Sequence, residues 1–217
     1  MLRSRTAQLM FQSAYCALGF VAVLASMGFF AYEFWPDFYV HYTDLSNYFC
    51  LGFMLAELVQ TAKKKEDGYV TVAPTLKYIG VVAITLTFLV FNIMLAPLRE
   101  QYLNFTINSV LLHIVLPILF VADWFLFYER GKIKLNGPFL SVFAPFFYVV
   151  FIYVRAWIVK FNPEVPYLYP YFFLDVGELG IFGVIKWMAI LLVAFLAMAF
   201  LYFGLDRWLT MKNKIGD

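Results

Sequence analysis

Charged residues are scarce in this sequence, and their scarcity excludes an ordinary soluble domain. Asp, Glu, Lys and Arg make up 14% of the 217 residues, whereas 64% are hydrophobic and 21% are aromatic. A soluble domain is usually about half apolar and about a quarter charged. Because one globular core cannot bury so much apolar surface, lipid must cover part of it. The composition therefore predicts an integral membrane protein.

Cysteine and histidine are also rare, with two residues of each. Cys16 and Cys50 both lie within apolar runs, so we expect them to pack between helices rather than to form a disulfide. No zinc-ligand spacing and no glycine-rich nucleotide-binding motif occurs in the sequence. We therefore expect no metal and no cofactor, and we expect no nucleic-acid partner.

Apolar runs long enough to cross a bilayer, which takes about 20 residues, occur six times. They cover residues 8–32, 41–61, 74–97, 103–128, 138–160 and 179–204. The first run continues beyond the apolar length of a signal peptide and shows no cleavage site, so we interpret it as a span. The sequence thus predicts a single all-α domain over residues 1–217, built as a bundle of six transmembrane helices.

Basic residues are unequally divided between the two sides of this predicted bundle. One side collects Arg3, Arg5, Lys63, Lys64, Lys65, Lys77, Arg130, Lys132, Lys134, Arg207, Lys212 and Lys214. The other side has Arg99 and Lys160, with Arg155 and Lys186 near it within spans. Because loops rich in Lys and Arg stay in the cytoplasm, we expect both termini inside the cell. The short loops favour a bacterial inner membrane.

Polar side chains recur within spans 2 and 4. In span 2 they share one helical face, on which Thr43, Asn47, Cys50, Met54 and Glu57 follow one another at steps of three or four. In span 4 the residues are Thr106, Ser109, His113 and Asp123. Ionisable residues within a span should face the interior of the bundle.

Each of these residues also has a structural interpretation. The hydroxyl and amide groups can simply bond neighbouring helices, and His113 can be a packed core residue. Glu57 lies close to Lys63 and can extend its carboxylate to the interface, while Asp123 can form a structural ion pair. The connection at residues 162–175 is rich in proline and aromatic residues. It either folds over the outer end of the bundle or forms an aromatic belt.

Three motifs, taken in order, resemble a known family. They are YTDLSN at residues 42–47, LHIVLP at residues 112–117 followed by Asp123-Trp124, and YPYFFLD at residues 169–175. The chain resembles the androgen-induced protein family of multi-span threonine hydrolases, and more closely its bacterial six-span branch. The resemblance extends over nearly the whole chain.

The resemblance implies a lipid-ester hydrolase, because animal members of the family hydrolyse esters of fatty acids with hydroxy fatty acids. Carried over by position, Thr43 would be the nucleophile and His113 the base. Further groups would orient the base or stabilise an oxyanion, and the candidates are Asp44, Asn47, Ser109 and Asp175. The partner would be a lipid with an acyl chain, and the site would lie in the outer half of the membrane. Asp44, Ser46 and Asn47 make this stretch more polar than its counterpart in the animal enzymes.

Two alternatives compete with this hydrolase hypothesis. A buried polar face with His, Asp, Glu and Arg also suits a transporter or channel that moves protons or solutes. A lipid-binding scaffold without catalytic activity is the third class. The predicted span limits place Thr43 shallower in the membrane than His113, so a catalytic pair requires a tilted span 2 or one that begins earlier.

Overall fold

The computed structural model describes residues 4–68, 70–98 and 106–215, and over these ranges it contains helices and no strand. The long helices are α1 (Arg5–Ser26), α2 (Tyr42–Lys63), α3 (Pro74–Leu95), α4 (Ile107–Phe127), α5 (Gly137–Val159) and α6 (Val176–Ile215). Short 3₁₀ turns cover Phe29–Ala31, Ala96–Leu98 and Phe172–Leu174. Arg3, Arg99 and the predicted start of span 4 at residue 103 lie outside the described residues.

Five of these helices are long and apolar enough to cross a membrane, namely α1, α3, α4, α5 and α6. This confirms the all-helical class and indicates an integral membrane protein. Helix α2 is as long as α1, at 22 residues, but its mean hydropathy is too low for it to be counted with these five helices. Asp44, Asn47 and Glu57 lower its hydropathy, and all three are buried inside the protein.

Two predicted helix ends were wrong for identifiable reasons. Helix α1 ends at Ser26 rather than near residue 32, because Gly28 adopts a left-handed conformation (φ 83°) that ends the helix. Helix α4 begins at Ile107, because Thr106 has an extended backbone and its hydroxyl accepts a hydrogen bond from the Ser109 amide at 3.1 Å. Its later start reduces the predicted difference in depth between Thr43 and His113.

Helix α3 occupies the centre of the bundle and contacts α2, α4, α5 and α6. Helices α1 and α2 pack side by side in opposite directions. At one end the Arg5 guanidinium donates to the carbonyls of Thr61 and Ala62, and at the other the hydroxyls of Ser26 and Tyr48 are 2.7 Å apart. This antiparallel register fixes which residues of α1 face the polar residues of α2.

The structure places two charged residues, Lys77 and Glu57, differently from the positions that the sequence suggested for them. Lys77 is not a loop cation but is fully buried in the first turn of α3, where it pairs with Glu57 and Asp123. Glu57 is therefore not an interfacial carboxylate, and Asp123 does have a basic partner. Cys16 and Cys50 are free, buried thiols that pack between helices.

Candidate functional site

A polar cavity of about 480 Å³ opens at the end of the bundle opposite Arg5 and Lys63. Its lining comes from the α1–α2 connection, the starts of α2 and α4, the end of α3 and the α5–α6 connection. The residues that line it include His41, Thr43, Asp44, Phe91, Ser109, His113 and Tyr171. Thr43 and His113 therefore line one cavity.

A second cavity, of about 280 Å³, adjoins the polar cavity and is almost wholly apolar. It lies between α3, α5 and α6, and its lining includes Leu86, Val90, Val149, Met188, Leu191 and Phe195. Thr43, Phe91, Leu95 and Tyr171 line both cavities. Thr43 thus stands at the boundary between a polar space and a space suited to a hydrocarbon chain.

Thr43 lies in the first turn of α2, where its side chain is 7% exposed. Its carbonyl accepts hydrogen bonds from the Ser46 hydroxyl at 3.0 Å and from the Asn47 amide nitrogen at 2.8 Å. Both donors belong to the turn that follows, so they fix the main chain that carries Thr43. The hydroxyl of Thr43 interacts with the hydroxyl of Tyr171.

His113 lies on a π-helical turn of α4, Leu111–Val115, and its ring stacks on Phe91 with centroids 3.6 Å apart. Phe91 itself belongs to a π-helical turn of α3, Val90–Leu95. The His113 Nδ1 atom is 2.9 Å from the Ser109 carbonyl oxygen. Because a carbonyl only accepts, Nδ1 carries the proton, and in the neutral imidazole Nε2 then carries the basic lone pair.

Two asparagines bind the wide turn that carries His113. In a π-helical turn the hydrogen bond spans five residues instead of four, which makes carbonyls accessible to other donors. The Asn47 amide donates to the Leu112 carbonyl at 3.0 Å, and the Asn92 amide donates to the His113 carbonyl at 3.3 Å. Asn47 bonds both Thr43 and Leu112 through the same nitrogen, so it links the turn that carries Thr43 to the turn that carries His113.

These two bonds use both N–H groups of the Asn47 amide. The sequence suggested Asn47 as a candidate oxyanion donor. In this geometry its amide has no N–H group left for that role. Its role in this geometry is to hold the first turn of α2 at a fixed position against the π-helical turn of α4.

The second histidine of the chain also lines the polar cavity. His41 precedes α2, and its Nδ1 atom is 3.6 Å from a carboxylate oxygen of Asp44. The His41 side chain is 36% exposed, whereas that of Asp44 is 11% exposed. Asp44 is thus placed beside His41 at the mouth of the cavity, and the sequence did not single out His41 as a site residue.

Tyr171 is a further member of the site that sequence reasoning missed. Its hydroxyl accepts a hydrogen bond from the Tyr42 amide at 3.1 Å, at the start of α2, and lies beside the Thr43 side chain. Burial raises the pKa of Tyr171 to about 12, so the hydroxyl keeps its proton at neutral pH and can donate it. The YPYFFLD motif contained this residue, but with four other aromatics in the same connection there was no reason to select it.

The loop that carries Tyr171 is fastened to the bundle by Arg155. The Arg155 guanidinium donates to the carbonyls of Tyr167 and Leu168 at 3.3 and 3.1 Å. It also pairs with Asp37 of the α1–α2 connection at 3.7 Å. Arg155 thus joins the two connections that close this end of the bundle, which explains how a buried cation is accommodated there.

Ser109 and Asp175 take different positions relative to the predicted site. Ser109 lines the polar cavity, and its carbonyl fixes the tautomer of His113. Asp175 is not among the lining residues. Its carboxylate accepts hydrogen bonds from the amides of Gly177 and Glu178 at 2.8 and 3.2 Å, so it caps the start of α6.

No protein-family model, no characterised protein and no solved structure matches this chain. The apolar helices indicate an integral membrane protein. Its candidate site places a buried hydroxyl and an imidazole on one shared cavity.

Proposed function

We propose that the protein is an intramembrane hydrolase of lipid esters, with Thr43 as nucleophile and His113 as base. The observation that carries the proposal is the position of Thr43, which lines the polar and the apolar cavity at once. A lipid ester has the same division, with a polar group and an acyl chain that meet at the carbonyl. When each part occupies the cavity that suits it, the ester carbonyl lies beside the Thr43 hydroxyl.

The chemistry follows from the groups around Thr43. Nε2 of His113 takes the hydroxyl proton as the threonine oxygen attacks the ester carbonyl, and the proton then passes to the leaving alcohol. Water releases the acyl group from Thr43 in a second step and restores the hydroxyl. The Tyr171 hydroxyl, buried and protonated at neutral pH, is the donor best placed to stabilise the oxyanion.

The transport hypothesis depends on other residues. Its strongest support is the buried cluster of Glu57, Lys77 and Asp123, since charges inside a membrane bundle often mark ion pathways. None of these three residues lines either cavity. The cavities and the buried charges are therefore separate features, and the cavities favour ester chemistry. A scaffold without catalytic activity would not require an imidazole and a hydroxyl on the same cavity.

A fluorophosphonate probe distinguishes these classes directly. We expect it to modify the purified protein covalently and the modified peptide to contain Thr43, because the probe reacts with a hydroxyl that an adjacent base activates. Labelling followed by peptide mass spectrometry measures this. Heat-denatured protein and Thr43→Ala are the controls, and both should remain unlabelled. A native protein that stays unmodified, or is modified only elsewhere, would contradict the proposal.

We further propose six spans, with α2 as the sixth, both termini in the cytoplasm and the site in the outer half of a bacterial inner membrane. Lipid need not contact the polar face of α2, because that face is buried inside the bundle. We expect a reporter that is active only outside the cell to be silent within residues 63–67 or 130–136 and active near Asp37 or Glu164. Paired insertions at residues 64 and 164 test this, and a strong outside signal at residue 64 would reverse the orientation.

A further inference from the structure

Three charged side chains meet in the half of the bundle that lies away from the polar cavity. The Lys77 ammonium of α3 donates to a carboxylate oxygen of Glu57 on α2 and to one of Asp123 on α4. All three residues have no solvent exposure. The cluster joins three helices, and neither cavity described above reaches it.

The formal charges of this cluster do not balance. One ammonium faces two carboxylates, so full ionisation leaves one excess negative charge in a buried site. Among the residues that the structure describes, the uncharged rings of Phe53 and Phe120 lie about 6 Å from the Lys77 nitrogen. The other titratable groups facing the cluster are Tyr15, Cys16, Cys50 and Tyr128. Each of these is neutral or negative, never positive.

Arg130, which follows α4, does not correct the imbalance. Its guanidinium donates to the carbonyls of Trp124 and Phe125, and it lies 3.9 Å from the carboxylate of Asp206. It therefore belongs to a different buried ion pair. An uncompensated charge inside a protein is far more costly than a neutralised one, and a buried carboxyl group avoids that cost by binding a proton.

Polar atoms around the cluster also lack hydrogen-bond partners. They are one oxygen of Asp123 and both polar atoms of the Gln12 amide, whereas the Glu57 carboxylate also accepts from the backbone amide of Val72. Gln12 of α1 is fully buried. Since Arg5 bonds Thr61 and Gly19 packs on Leu51, the antiparallel register places Gln12 at the level of Glu57.

We propose that Glu57, Lys77 and Asp123 form a proton-binding site that holds one proton on its two carboxyl groups at neutral pH. The bound proton makes the cluster neutral, as one ammonium, one carboxylate and one carboxylic acid. The inference does not depend on the hydrolase proposal, because it involves none of the residues of the two cavities.

Infrared difference spectroscopy of the purified protein tests this site. At neutral pH we expect the carbonyl band of one protonated carboxyl group, which shifts on transfer to D₂O. Glu57→Gln and Asp123→Asn should each lose this band, because the remaining carboxylate is balanced by Lys77. Lys77→Met should roughly double it, because both carboxyl groups must then be protonated. Asp206→Asn, which changes a buried carboxylate elsewhere, is the matched control and should keep the band.

Three outcomes would overturn the proposal. The first is a wild-type carboxyl region identical to those of Glu57→Gln and Asp123→Asn. The second is a Lys77→Met spectrum without any increase. The third is a band present in choline chloride but abolished by sodium chloride, which would assign the compensating charge to a metal cation. The two single carboxyl variants report independently, so a folding failure of one leaves the test decisive through the other.

Discussion

Replacing Thr43 with alanine is expected to reduce ester cleavage roughly 10⁴-fold or more and to leave the fold nearly intact. Loss of a nucleophile removes the covalent pathway altogether, and losses of this size are typical of nucleophile removal. The structural cost is small, because a hydrogen bond between helices in a membrane contributes about 0.6–2 kcal/mol. Hydrolysis of a fluorogenic acyl ester measures the first effect, and thermal unfolding in detergent measures the second.

Thr43→Ser is the matched variant for this prediction. It retains the hydroxyl and removes one methyl group at the boundary of the two cavities, so measurable activity should remain. Its melting temperature should lie close to that of the wild type. A purely structural threonine predicts the opposite order, in which activity falls only in proportion to folded protein. Full activity in well-folded Thr43→Ala protein would exclude Thr43, and the nucleophile would then be Ser46, Ser109 or an activated water.

Composition and helical spacing were sufficient to predict much of the architecture. The apolar runs gave the approximate positions of all six long helices, and the polar face of α2 is buried from Thr43 to Glu57 as its spacing indicated. The helix ends were less predictable, because they depend on single residues such as Gly28 and Thr106. The burial of Lys77 was also unpredictable, since a lysine near the start of a span looks the same in sequence as a loop cation.

The site was predictable only where a residue type is unusual for a membrane. An imidazole within a span is rare enough to select His113, whereas one more tyrosine in an aromatic loop does not select Tyr171. The π-helical turn around His113 has one local signal, Pro117, which has no N–H to bond the His113 carbonyl four residues earlier. The bonds from Asn47 and Asn92 to this turn come from other helices and have no local signal. Asp175 did have a signal, since an aspartate directly before a helix is a typical cap.

Asn47 illustrates how the role of a candidate residue depends on partners that lie far away in the sequence. Its position one turn after Thr43 indicated that it belongs to the site, and the structure places it between Thr43 and Leu112. Sequence alone could not show that both its N–H groups are used. An amide that is fully bonded acts on catalysis by positioning other groups, and this can be seen only when the partners from two helices are known.

His113→Ala is expected to lower the rate of ester cleavage by about 10²–10⁴-fold, the range typical of a lost general base. Combining it with Thr43→Ala should produce no further loss beyond that of the more damaging single variant, because the two residues act as one unit. The rate constants of the two single variants and of the double variant, measured on the same ester, test this.

Two controls separate the role of His113 as base from its role in packing. Phe91→Leu removes the aromatic stack but keeps the imidazole, so it should lower the melting temperature more than the catalytic rate. His41→Ala removes the other histidine of the polar cavity and should retain most of the activity, because Asn47 links Thr43 to the turn of His113 and not to His41. If instead His41→Ala abolishes cleavage and His113→Ala does not, the base is His41. Asp44, which lies 3.6 Å from its Nδ1 atom, would then be the group that orients it.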